Sequence, residues 1–181
     1  MGLHIALLRG INVNGKRMIP MAGLREMAKG LGYQGVESYI QTGNLLLESP
    51  LDQDEVRHQL EGAIRAAFGF DVTVAVRSPG DIDETLARCP YQPAEGEVVY
   101  VAFAVSPPTP ERLKATADAM PDSGDRCTCT SQEVYILYRE GVHASSLSNA
   151  FFERSLGIAM TSRNLRTVQK LRELIRQRTS A

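Results

Sequence analysis

Residues 1–78 alternate between helical and strand periodicity, and this alternation limits the fold more than any other feature of the chain. Residues 3–9 are a short apolar run suited to a buried strand. Residues 10–20 form a loop rich in Gly, Asn and basic side chains. Pro20 fits the start of a helix over 21–31, where Leu24, Met27, Ala28 and Leu31 share one face and Gly32 ends the run. Residues 36–41 alternate as a strand, with Val36, Ser38 and Ile40 against Glu37, Tyr39 and Gln41. Thr42-Gly43-Asn44 reads as a tight turn into a returning strand that begins at 45–47. Pro50 and Asp52 introduce a helix to Phe68, with Val56, Leu60, Ala63, Ile64 and Ala67 at helical spacing and Gly69 closing it. Residues 71–77 place Val72, Val74 and Val76 on one strand face. The order is β-α-β-β-α-β, the ferredoxin-like pattern.

The second half partly repeats this order. A short helix is expected at 81–88 and a strong strand at 98–105. A Ser-Pro-Pro-Thr-Pro breaker follows, and Pro110 opens a helix over 110–119. Residues 125–130 and 133–139 form a hairpin turning at Ser131-Gln132. Helices are expected at 147–156 and 164–178. This gives a related βαββα half and suggests a degenerate duplication. The expected fold class is therefore α+β, with antiparallel or mixed sheets and helices on one face. Two subdomains are expected, 1–78 and 79–181, the second carrying a C-terminal basic amphipathic helix and packing on the first.

Composition narrows the function classes. The chain has 181 residues, 43% hydrophobic and 23% charged, which is ordinary for a globular protein. A formal net charge of -1 supplies no global field for nucleic acid. No apolar run approaches the roughly 20 residues a bilayer requires, so the expectation is a cytoplasmic protein with no membrane partner. Three cysteines and no export signal suggest reduced thiols. Cys127 and Cys129 would share a strand face as small, half-buried residues. His4, His58 and His143 are scattered without metal-ligand spacing, so no metal and no cofactor are expected. No nucleophile elbow occurs, and Cys89-Pro90 has no nucleophile context.

Three polar segments stand out: Leu8-Arg9-Gly10-Ile11-Asn12-Val13-Asn14-Gly15-Lys16-Arg17, Ile40-Gln41-Thr42-Gly43-Asn44, and Thr161-Ser162-Arg163-Asn164-Leu165-Arg166-Thr167. In the expected sheet the third strand lies beside the first and antiparallel to it. The end of the first strand then meets the start of the third, and the first two segments share one rim. Arg9, Asn12, Lys16, Gln41, Thr42 and Asn44 would present donors there, with Arg163 and Asn164 joining if the last helix folds back to this edge. Asn14, Gly15 and Gly43 suit tight turns by themselves. Arg9, Asn12, Gln41 and Asn44 fit a ligand site and a hydrogen-bond scaffold equally well. Thr161 or Ser162 would cap the last helix. That helix carries Arg163, Arg166, Lys170, Arg172, Arg176 and Arg178 over more than one face, which fits a solvated surface.

The same segments carry a resemblance. Ala6-Leu7-Leu8-Arg9-Gly10-Ile11-Asn12-Val13, Tyr39-Ile40-Gln41-Thr42-Gly43-Asn44 and Thr161-Ser162-Arg163-Asn164 with Thr167 resemble the bacterial domain-of-unknown-function 1697 family. Its members typically read Leu-Arg-Gly-Ile-Asn-Val-Gly-Gly, Gln-Ser-Gly-Asn and Thr-x-Arg-Asn-Trp-x-Thr. Here Asn14 stands for Gly, Thr42 for Ser and Leu165 for Trp. The resemblance implies an α+β fold with ferredoxin-like elements and implies no reaction.

Taken together, the residues favour binding of an anionic, phosphate-bearing small molecule at the loop patch. An enzyme using the same pocket is the alternative. The motifs hold no general base, so His4 or Glu48 would have to face the pocket. A nucleic-acid-associated module is a third reading, by analogy of fold alone.

Overall fold

A segment buried on both faces belongs in the middle of a sheet, and Gly2–Leu8 (β1) takes that place: Ile5, Ala6, Leu7 and Leu8 are fully buried. The computed structural model describes residues 1–122 and 124–179. The chain divides into two units, Met1–Asp83 with Leu171–Ala181, and Glu84–Lys170.

The first unit continues with α1 (Met21–Gly30), β2 (Gln34–Tyr39), β3 (Asn44–Ser49), α2 (Gln53–Phe68) and β4 (Val74–Arg77). Its sheet order is β2-β3-β1-β4, antiparallel throughout. The third strand thus lies between the first and second, as the sequence order predicts. Ala6, Leu8, Leu45, Leu47, Val74 and Val76 face the helices, meeting Leu24 and Ala28 of α1 and Val56, Leu60 and Ile64 of α2. Each such aliphatic side chain contributes on the order of 1.5–3 kcal/mol by leaving water. α2 opens on a capping box: the Asp52 carboxylate accepts from Glu55 N–H, and the Glu55 carboxylate accepts from Asp52 N–H. Gly69 closes it in the left-handed conformation.

The hairpin between β2 and β3 differs from the expectation. β2 ends at Tyr39, the turn occupies 40–43, and Asn44 is the first residue of β3, paired with Tyr39. Ile40 leaves the strand pattern at φ 50° and is 44% exposed. The cause is Asn44, whose amide reaches back to Tyr39 O (2.9 Å) and Thr42 Oγ1 (3.1 Å). These bonds fix the turn ahead of it. β2 is also irregular between Gln34 and Glu37.

The second unit contains β5 (Val98–Ala104), α4 (Pro110–Asp118), β6 (Arg126–Cys129), β7 (Glu133–Tyr138), α5 (Asn149–Leu156) and β8 (Met160–Asn164). Its antiparallel sheet has the order β6-β7-β5-β8. Both units therefore share one connectivity and one strand order. The final strand of the repeat was not expected. Thr161 and Ser162 belong to β8 instead of capping a helix, and Asn164 is the residue that does so, its Oδ1 accepting from Arg166 N–H at 2.9 Å. The last helix, α6, is Leu165–Thr179. Between the two sheets in sequence, α3 (Pro79–Arg88) starts before the expected 81 because Ser78 and Asp81 cap it reciprocally, at 2.8 and 3.2 Å.

Among the described residues, His4 is a buried side chain whose ring is left without a partner. His4 is 7% exposed, pairs with Leu47 on the helix-covered face, and neither ring nitrogen has a hydrogen bond. Replacing an unsatisfied buried polar group by an apolar one removes a desolvation cost. His4→Leu is expected to stabilise the fold by about 1 kcal/mol, read as a higher urea midpoint at unchanged slope. A lower midpoint would mean that the imidazole is satisfied by an ordered water.

Candidate functional site

The loop after β1 is a small hairpin. Lys16 N–H donates to Val13 O at 3.0 Å, and Asn12 N–H donates to Arg17 O at 3.1 Å. Asn14 and Gly15 sit between them with φ 51° and 70°, as a two-residue turn of mirror-image type requires. Asn serves at the first of these positions because it tolerates the left-handed region.

Asn12 joins this hairpin to its surroundings. Its Nδ2 donates to Ile19 O (3.0 Å) and to Gln41 O (2.8 Å), and its Oδ1 accepts from Ile19 N–H (2.8 Å). The two loops expected to share a rim therefore meet, through one amide. Leu8 N–H donates to Gly43 O at 2.8 Å, and Arg9 N–H donates to Thr73 O at 2.9 Å. Gly43, at φ 81°, sits hard against Leu8 and Ile11.

The expected site residues thus divide by role. Asn12 and Asn44 spend their amides on backbone and turn atoms; Asn44 is fully buried. Arg9 is half-buried. Lys16, Arg17, Gln41 and Thr42 are exposed, and Thr42 Oγ1 accepts from Asn44. Around them lie three of the chain's exposed large apolar side chains, Val13, Met18 and Ile40. Arg163 and Asn164 lie in the second unit. Arg163 is 6% exposed and donates to Thr161 Oγ1 (3.0 Å) and Ser162 O (2.9 Å). Burial brings its guanidinium pKa down to about 10. Asn164 caps α6, as above.

The two general bases considered from sequence are elsewhere. His4 and Glu48 pair with Leu47 and Leu3, whereas the loops join the sheet at Leu8 and Asn44. Four residues of β1 separate His4 from that rim, on the order of 13 Å along a strand. The basic helix is also partly neutralised: Arg178 pairs with Glu37 at 2.7 Å and Arg176 with Asp83 at 3.6 Å.

Two polar residues were missed by sequence reasoning, Arg77 and Glu133; each stands where the other half of the repeat carries an expected site residue, Arg163 or Asn44. Arg77 pairs with Ile5 on β4, and Arg163 pairs with Val101 on β8, the equivalent place in the repeat. Each guanidinium donates to the carbonyl of its preceding residue at 2.9 Å. Likewise Asn44 opposite Leu7 corresponds to Glu133 opposite Phe103. Glu133 is 3% exposed, with Thr85 Oγ1 donating at 3.1 Å and Thr130 Oγ1 at 3.5 Å. The available signal was a charged residue at the end of an apolar strand, visible only once the duplication is aligned.

Among the described residues no helix is long and apolar enough to cross a membrane. Comparison with solved structures finds the same fold in the "conserved bacterial protein SP0830 from Streptococcus pneumoniae", with a TM-score of 0.76 and 22% sequence identity over 95% of this chain and 97% of that one. A search of curated proteins found no match. A family model described as "Protein of unknown function (DUF1697)" matches residues 1–135, a span that includes the first two polar segments and stops before the third. The chain belongs to this family.

Proposed function

We propose that the protein binds an anionic, phosphate-bearing small molecule at the rim formed by the 9–17 hairpin and the 40–44 turn. The observation that carries this reading is the charge of that rim. Residues 9–17 hold three cations, Arg9, Lys16 and Arg17, and no acid, in a chain whose formal net charge is -1. Lys16 and Arg17 are exposed at the tip of a tied hairpin, so little ordering would be lost on binding. Val13, Met18 and Ile40 would offer an apolar surface to the rest of the ligand. Binding is favoured over catalysis here because residues 9–20 and 40–44 contain no carboxylate and no imidazole.

The test is a thermal-shift series with inorganic phosphate, pyrophosphate, ATP, glucose 6-phosphate and polyphosphate. A ligand bound by the folded state alone raises the midpoint. At about 100 Kd the expected gain is about 2.7 kcal/mol, or roughly 5–10 °C for a chain of this size. Lys16→Gln combined with Arg17→Gln should remove the shift, and Arg176→Gln should keep it. An equal shift in the loop variant, or no shift with any of the five compounds, overturns the reading. A shift with polyphosphate alone that vanishes steeply with salt would point to nucleic acid instead.

A further inference from the structure

Cys127 and Cys129 play no part in the anion site, yet the fold places them together. β6 alternates, so both thiols leave one face of the strand, on the side of Ile136 and Val134 to which they are paired. That face belongs to the second core, against which Met120, just beyond α4, also packs. Cys127 Sγ lies 3.3 Å from Met120 Sδ. The Cys127 S–H donates to that thioether, and the two neighbouring thiols perturb each other, Cys127 held above the usual thiol range and Cys129 below it. All three side chains are half-buried, backed by the core yet open to solvent, and both cysteines are free thiols.

A disulfide does not suit this geometry. It needs Cβ atoms about 3.8 Å apart, whereas same-face positions two apart on a strand are roughly 6.7 Å apart. Closing it would distort β6. A shared ion asks less of the backbone, because the sulfurs need only flank it. The donor set decides which ion. Two thiols and a thioether are soft ligands, which suit Cu(I) better than the oxygen-seeking ions, and three donors fall short of the four that a structural zinc takes. Among the described residues no group of three or more His, Cys, Asp or Glu is placed to hold a metal, so a zinc-type set is not formed here.

We propose that Cys127, Cys129 and Met120 form a three-sulfur site for a soft monovalent metal ion of the Cu(I) type. Binding requires no electron transfer. Each thiol that ligates releases one proton to solvent, and the Met120 thioether adds a neutral donor. Two thiolates with one Cu(I) leave the site with one net negative charge.

The experiment uses the full, reduced chain under anaerobic conditions, with Cu(I) titrated in competition with bicinchoninate. One Cu(I) per chain should be retained, with an ultraviolet thiolate-to-copper charge-transfer band. Cys127→Ser and Cys129→Ser should each lose the ion and the band. Met120→Leu, which keeps the packing volume, should keep the band but surrender the ion at a chelator concentration that the natural chain resists. Cys89→Ser should behave as the natural chain, and excess Zn(II) should not displace the copper. If the serine variants melt before the natural chain, Cys127→Ala with Cys129→Ala, apolar at both half-buried positions, is read in their place. Failure of the natural chain to retain Cu(I), equal retention after loss of both thiols, an unchanged affinity in Met120→Leu, or displacement by Zn(II) would each overturn the three-sulfur site.

Discussion

Gly43→Ala is expected to destabilise the first unit by about 3 kcal/mol, as the sum of two separable effects. The first is conformational. Gly43 has φ 81°, where a Cβ meets its own backbone, and an L-residue there costs about 1 kcal/mol. The second is steric. A Cβ built at this position falls 2.7 Å from Ile11 Cδ1 and 2.8 Å from Leu8 Cβ. The isoleucine tip has some freedom to turn. The leucine Cβ is fixed to the central strand β1, next to the bond from Leu8 N–H to Gly43 O. Relief therefore requires the 40–43 turn to lift from β1, and overpacking of this kind adds roughly 1–3 kcal/mol. Gly15→Ala separates the two terms. Gly15 has φ 70° but nothing within 4 Å of a built Cβ, so it should lose only the conformational part, about 1 kcal/mol. Urea midpoints of the two variants provide the comparison, with thermal midpoints lowered by roughly 10 °C and 3 °C. Equal losses would mean that Leu8 and Ile11 yield freely and that the turn is not clamped to the strand.

What the sequence made legible follows the same division between local and tertiary causes. α2 could be read because its start, its apolar face and its stop all agree: Asp52, then Val56, Leu60 and Ile64, then Gly69. The meeting of the two loops could be read because the β-α-β-β-α-β order places the start of the third strand beside the end of the first. β8 could not be read. Its Thr161, Ser162, Arg163 and Asn164 have the composition of a helix cap, and Arg163 is a poor candidate for a buried strand position. What places it there is the pairing of 160–164 with β5, a contact made across about 60 residues of sequence. The repeat was therefore seen without its last strand. For the site, charge was legible and hydrogen bonding was not. An Asn amide offers the same donors and acceptor to a ligand or to a backbone. Nothing local showed that Asn12 would bind the carbonyl of Gln41 while the Gln41 side chain stayed exposed.

Asn12 is for that reason the residue whose substitution says most about the rim. Asn12→Ala should cost about 2–3 kcal/mol. It removes three hydrogen bonds and leaves the N–H and C=O of Ile19, a residue 1% exposed, without the partner they now share. It also places alanine at φ 55°, a conformation that Asn adopts more readily than Ala. Asn12→Gly restores the backbone freedom without the amide, so its difference from Asn12→Ala should be about 1 kcal/mol. Asn12→Asp retains the acceptor for Ile19 N–H but turns a carboxylate oxygen toward Ile19 O and Gln41 O. It should be no more stable than Asn12→Ala at neutral pH and should recover on acidification, when the protonated acid again supplies a donor. Urea unfolding gives the energies, and hydrogen exchange at the Ile19 amide reports the local bond. All three variants should also weaken anion binding, because they free the hairpin that carries Lys16 and Arg17 from the turn that carries Gln41 and Thr42. A variant that loses stability yet binds phosphate compounds as before would place the ligand on the cationic tip alone. One that keeps stability but loses binding would make the Asn12 amide a direct ligand contact, and the bonds to Ile19 and Gln41 would then be its resting partners.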